Sequence, residues 1–207
     1  MNHILPASPA PLLPMPRSLR AGLVLWACAA LLASASGVIE SPPPFVIPLL
    51  IGGSVLAFSL ACARSRAFRA SVLSVDPRPL VLYHLVRVVA GAAFLVLHHQ
   101  GRLPGAFALQ AGWGDIAVGL LAPVVALALP ATTPFKRGVA LAWSVAGLAD
   151  ILYVVGNAQR MILLEGDTLL PATLTYFPFS LLPLFIVPLV LITHGVVLAQ
   201  LVARSVR

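Results

Sequence analysis

The sequence predicts an all-α fold, a polytopic bundle of six membrane-spanning helices with both termini cytoplasmic. Three observations carry that expectation. Apolar residues make up 60% of the 207-residue chain and charged residues only 9%, with a mean hydropathy of +1.01; a soluble domain carries about 25% charged residues because its surface faces water. Six runs approach the roughly 20 apolar residues that a helix needs to cross the hydrocarbon core. Basic residues gather in alternate connecting segments, the bias that sets orientation in a membrane.

Taken in order, residues 1–20 are Pro-rich between 6 and 16 and read as a disordered cytoplasmic tail. A single transmembrane domain follows over 21–207, with spans at about 21–39, 45–63, 80–97, 113–130, 138–156 and 176–202. Arg20, the first run and Ala33-Ser34-Ala35 also resemble a signal peptide with a cleavage site. The run is longer than the usual apolar region of such a peptide and follows a leader, so a retained span is expected. Ser41-Pro42-Pro43-Pro44 ends the first span, and Asp76-Pro77-Arg78-Pro79 opens the third. The sixth run contains Pro178, Pro183 and Pro188, which predicts a kink or tilt near its start. No internal repeat is convincing, and no span shows a mid-depth break flanked by Gly and Pro.

Orientation follows from the loops. With the N-terminus inside, the cytoplasmic segments hold Arg17, Arg20, Arg64, Arg66, Arg69, Arg78, Lys136, Arg137, Arg204 and Arg207, and the outer ones only Arg102 and Arg160. The cytoplasmic set would meet anionic lipid headgroups of a cell inner membrane. The net charge of +7 does not indicate nucleic acid, because the basic residues form no stripe interleaved with aromatics. Cys28 and Cys62 fall in apolar runs without metal-ligand spacing and read as small buried hydrophobes. Trp113, Tyr176, Phe177 and Phe179 fit an interfacial belt at the outer boundary.

Five ionisable residues nevertheless lie within the spans: His84, Arg87, Asp115, Asp150 and His194. Inside lipid each costs several kcal/mol unless paired or hydrated. Helical spacing puts His84, Arg87, Gly91 and His98 in one stripe, Gly112, Asp115 and Gly119 in another, and Trp143, Gly147, Asp150, Tyr153 and Asn157 in a third. Small residues in each stripe let helices approach, which aims these faces at one another. A rise of roughly 1.5 Å per residue places Arg87 roughly 10 Å and Asp150 roughly 18 Å above the cytoplasmic boundary, within reach of an ion pair. Asp115 falls a turn below the outer boundary, hydrated or a second partner for Arg87. His84 and His194 match in depth on different spans, lower than the Arg/Asp group. They suit a haem b iron as axial ligands; equally, each suits a neutral imidazole bonded to a backbone carbonyl. Tyr153 and Asn157 support the polar face of the fifth span.

The chain from about residue 80 onward resembles an uncharacterised family of small multi-pass bacterial integral membrane proteins. The residues carrying the likeness are Arg87-Val88-Val89-Ala90-Gly91 with Phe94-Leu95, Gly101-Arg102-Leu103-Pro104, Ala111-Gly112-Trp113-Gly114-Asp115 with Gly119, Gly147-Leu148-Ala149-Asp150, and Pro188 followed by His194. The resemblance implies no activity or substrate. It places Arg87, Asp115, Asp150 and His194 in one recurring pattern.

The expected function is therefore a small transporter or proton-handling protein working through Arg87, Asp115 and Asp150, as a homo-oligomer or within a larger membrane complex. A structural or accessory subunit, locked by the same charges, is the alternative. A bis-His haem protein and a metal-dependent hydrolase using Asp115, Asp150 and His194 complete the set. No Ser or Cys nucleophile is set beside a base, so an enzyme is the weaker expectation.

Overall fold

The computed structural model describes residues 13–203, whose regular secondary structure is helical apart from one isolated bridge. Six helical stretches are long and apolar enough to cross a membrane: Arg17–Ala35 (α1), Val46–Arg64 (α2), Pro77–His99, Gly105–Ala128 (α6), Pro134–Leu164 (α7) and Leu182–Ala203. The third is composite, with α4 (Pro77–Leu82) and α5 (Val86–His99) joined by a 3-10 turn at Tyr83–Leu85. The last opens with a π turn, Leu182–Ile186, before α9 (Val187–Ala203). Two shorter helices complete the set, α3 (Arg66–Ser74) and α8 (Leu169–Leu174).

Several boundaries differ from the expected ones. Most of the Pro-rich tail, residues 1–12, lies outside the described residues. Beyond it the chain is ordered rather than loose: Leu13 pairs with the backbone of Ser74 and Asp76, and α1 already begins at Arg17. Helix α6 starts at Gly105, well before the expected residue 113. The lead-in Gly105–Gly112 has small residues and Gln110, which lower its hydropathy, yet nothing in it breaks a helix once Pro104 has set the first turn. Trp113 is thereby moved from the outer boundary to roughly 12 Å inside the helix, where its ring is exposed. Helix α7 runs on past 156 because Asn157 and Arg160 find partners at its end.

The sixth span shows why its prolines matter. Residues 175–180 are turn and bend rather than helix, and the π turn ends two residues before Pro188. A regular α-helix would have residue 188 donate to the Leu184 carbonyl, but proline has no N–H. Trp26 of α1 supplies the missing donor, its Nε1 lying 3.1 Å from that oxygen. Two turns further along α1 the hydroxyl of Ser34 pairs with that of Ser180 and holds α1 against the same irregular segment.

The core forms between α5, α6, α7 and α9. One cluster around Val81, Val125, Trp143 and Val197 fills one end, and another around Phe94, Phe107, Val154 and Leu170 fills the other. Close approach of α5 to α6 needs glycine. A Cβ on Gly91 would meet the Gly112 carbonyl, and one on Gly119 would meet Val88 Cγ2 at 2.6 Å and the His84 carbonyl at 3.0 Å. The amphipathic α3 had no counterpart in the expected spans. Ser65 caps it, accepting from the Phe68 N–H, while Val72 packs inward. Gln200 of α9 donates to the Leu73 and Val75 carbonyls and fixes that end.

Candidate functional site

Arg87 lies in the first turn of α5 and is 2% exposed. Its Nε donates to Asp115 Oδ1 of α6 at 2.6 Å, its Nη1 to the Gly147 carbonyl of α7 at 3.1 Å, and its Nη2 to Asp150 Oδ2. One guanidinium thus faces two carboxylates and joins three helices. Asp115 is 3% exposed, whereas the Asp150 side chain retains 18%. The early start of α6 explains why Asp115 belongs here. It lies roughly 15 Å along the helix rather than a turn from its end, at the level of Arg87.

Glycines make room for the charged groups. The Asp150 carboxylate lies over Gly114 of α6, in the space a side chain there would fill. Gly91, on the face of α5 that carries Arg87, lets Asp115 and Ile116 come close, each 3.0 Å from where its Cβ would be. The sequence stripes contain these glycines, apart from Gly114, which falls beside Asp115 in the chain and faces the next helix.

The two histidines are fully buried, and they touch the charged centre rather than forming a separate group. The His194 ring packs on Gly147, whose missing Cβ would lie 2.6 Å from Cε1 and 2.7 Å from Nε2. Gly147 is the residue whose carbonyl accepts from Arg87, so one glycine joins the histidines to the charged centre. The His84 and His194 ring centres are 4.1 Å apart, and Trp143 closes the cluster at 5.0 and 5.1 Å from them. Thr193 Oγ1 lies 3.1 Å from His84 Nε2 and 2.8 Å from the Leu189 carbonyl. With its single proton on that carbonyl, the hydroxyl accepts from His84 Nε2–H. Among the described residues, His84 Nδ1 and both ring nitrogens of His194 have no hydrogen-bond partner.

This packing does not suit a haem b. Axial imidazoles lie on opposite faces of the macrocycle, with metal–nitrogen bonds of about 2 Å each. Rings in contact at 4.1 Å leave no space for that plane. A hydrolytic metal fares no better, because among the described residues no three His, Cys, Asp or Glu side chains converge to hold an ion. Asp115 and Asp150 are both engaged by Arg87 instead.

Tyr153 and Asn157 are not brought to the centre. Tyr153 is 59% exposed: two successive steps of three residues, 147 to 150 to 153, fall progressively short of whole turns and rotate it off the buried face, which passes through Ile151 and Val154. Asn157 is buried but roughly 10 Å further along α7, donating to the Ala106 carbonyl and accepting from Arg160. His98 is half-buried and bonds through Nδ1 to the Leu103 carbonyl in the α5–α6 turn.

Beside the charged centre lies an apolar cavity of about 160 Å³. Arg87 and Asp115 form its floor, Phe94 and Phe107 its walls, and Pro42 and Thr175 line it near the connecting segments. No spacing in the sequence signals this cavity, which depends on how the α8 segment and the π turn fold back.

The family model described as Domain of unknown function (DUF8737) matches residues 44–202, more than half of the chain. The chain belongs to this family. The DUF8737 match takes in the whole charged centre, the histidine cluster and five of the six long apolar stretches, with α1 preceding it. No curated protein matches the chain, and no solved structure does.

Proposed function

We propose that this is a multi-pass protein of a cell inner membrane, with both termini cytoplasmic, that handles a proton at Arg87, Asp115 and Asp150 as a small transporter. Insertion is supported by the outward faces. Leu25, Leu32, Val89 and Leu127 are each about three-quarters exposed, and apolar surface on that scale is a liability in water. Orientation is supported by the ten-to-two bias of Lys and Arg between alternate connecting segments. The same basic residues meet anionic headgroups.

One observation carries the functional reading: two carboxylates share one guanidinium in a water-poor interior. Taken as ionised, the three groups sum to one negative charge, and a proton is the smallest species that balances it. The carboxylates also face different surroundings. Asp115 borders the cavity, while Asp150 does not and keeps some exposure of its own. A charge passed between them around a fixed Arg87 changes sides of the centre.

The test is proton flux into vesicles containing the purified protein, under an imposed potential. Wild type conducts above empty vesicles, and Asp150→Asn and Asp115→Asn each lose at least ten-fold while eluting as monodisperse protein. Flux equal in wild type and both variants sinks the reading.

A structural lock is the second reading, favoured by the way Arg87 clasps α5, α6 and α7. It requires that replacing Arg87, Asp115 and Asp150 together by leucine preserve both folding and every cellular role.

A further inference from the structure

We infer that the apolar cavity beside Arg87 and Asp115 binds a hydrophobic ammonium ion, one aromatic ring on a short linker, with its charged head against Asp115. The inference rests on the proton-handling reading of the same centre and gives it a substrate class.

Size comes first. An apolar cavity of about 150 Å³ takes a molecule such as benzene, so the 160 Å³ space holds one ring and a few further atoms. Phe94 and Phe107 form an edge-to-face pair with centroids 5.4 Å apart on its wall. They lie two helical turns from Arg87 and Asp115 respectively, roughly 10–12 Å along the axes. A ligand spanning floor to wall is therefore about 10 Å long, apolar at one end and polar at the other.

Charge selects the head group. Arg87 commits Nε, Nη1 and Nη2 to protein acceptors, so an incoming anion finds a guanidinium already engaged and two carboxylates that repel it. Asp115 accepts at Oδ1, while its Oδ2 receives no hydrogen bond from the described residues. A primary ammonium donates to that oxygen and cancels the excess charge. The balance is an exchange: the ammonium binds, Asp115 gives up the proton that had neutralised the centre, and one positive charge replaces another. A neutral ligand of the same shape gains the apolar contacts alone.

The experiment measures calorimetric binding of three probes that share a 3-phenylpropyl tail to the full chain in non-ionic detergent. These are 3-phenylpropylammonium, 3-phenylpropan-1-ol and 4-phenylbutyrate, each with a detergent-only blank. The ammonium is expected to bind at least ten-fold more tightly than the alcohol, with the carboxylate weakest. Asp115→Asn should bring the ammonium down to the level of the alcohol. Because that variant can unfold, Ala90→Leu serves as a second. It fills the cavity wall one turn from Arg87 and is expected to weaken the ammonium at least ten-fold at unchanged melting temperature. Tightest binding of phenylbutyrate, equal binding of all three probes, no binding because a lipid chain fills the space, or an indifferent Ala90→Leu variant would each overturn the inference. A pH dye in weak buffer separates the two readings. Release of about one proton per ammonium supports both; binding without release overturns proton exchange and leaves the site standing; proton flux without ammonium binding overturns the site alone.

Discussion

Replacing Arg87 by methionine keeps most of the side-chain volume and removes the charge that two carboxylates share. Three hydrogen bonds disappear, two of them to carboxyl oxygens. Bonds to charged groups contribute about 1.5–3 kcal/mol each, and leaving a buried charge without its partner costs about 3–5 kcal/mol. The larger figure governs, because a buried negative charge is left without its cation. At about 2–4 °C per kcal/mol for a chain of this length, the melting temperature should fall by roughly 6–20 °C. The two aspartates should not rescue equally. Asp115 is 3% exposed, whereas the Asp150 side chain keeps 18%. Arg87→Met with Asp115→Asn should therefore recover more stability than Arg87→Met with Asp150→Asn. Thermal unfolding in detergent, followed by tryptophan fluorescence, measures all three. An Arg87→Met variant melting within about 2 °C of wild type, or better rescue by the Asp150 change, would refute the account of the centre.

Other perturbations test the packing around it. Gly91→Ala sets a methyl against the Gly112 carbonyl, a backbone atom that cannot swing aside, and overpacking of about 3 kcal/mol outweighs a helix-propensity gain of about 1 kcal/mol. Its melting temperature should drop, while Gly52→Ala in α2, with nothing within 4 Å, should raise it slightly; the reverse order would contradict the α5–α6 interface. Gly147→Ala pushes on a His194 ring already held by His84 and Trp143. A loss of about 1–3 kcal/mol with a shifted tryptophan emission is expected, and an unchanged spectrum would place the histidines elsewhere. Asn157→Leu should lose about 1 kcal/mol of stability and keep proton flux within two-fold of wild type, since it touches Ala106 and Arg160 but not the centre. A flux collapse there would return Asn157 to the site.

The long apolar runs reveal the spans because hydropathy sums over many residues and tolerates local exceptions. The same averaging hides the start of α6, where alanines, glycines and Gln110 dilute the signal without weakening the helix. That one boundary displaced Asp115 toward the surface and left its role as a partner of Arg87 undecided. The helical stripes show that Arg87, Asp115 and Asp150 face inward, since three- and four-residue spacing is a local property. They do not show that His194 touches Gly147, because that contact depends on how far α9 advances past α7. Trp143 stands on the expected stripe, yet its contact with both imidazoles is visible only in three dimensions. Thr193 gave no signal, being a hydroxyl that any apolar helix tolerates.

The glycine seats impose an order on how such a centre can change. Asp150 occupies the space opposite Gly114, and His194 the space opposite Gly147, so each polar side chain on one helix presupposes a bare backbone on its neighbour. A lineage that gained the aspartate before the glycine would carry both a clash and an unpaired charge. One that gained the glycine first would carry only a small void. The history of this centre is thus directional, and reversing one member of a pair should be rescued by its partner across the interface rather than by its neighbours in the chain.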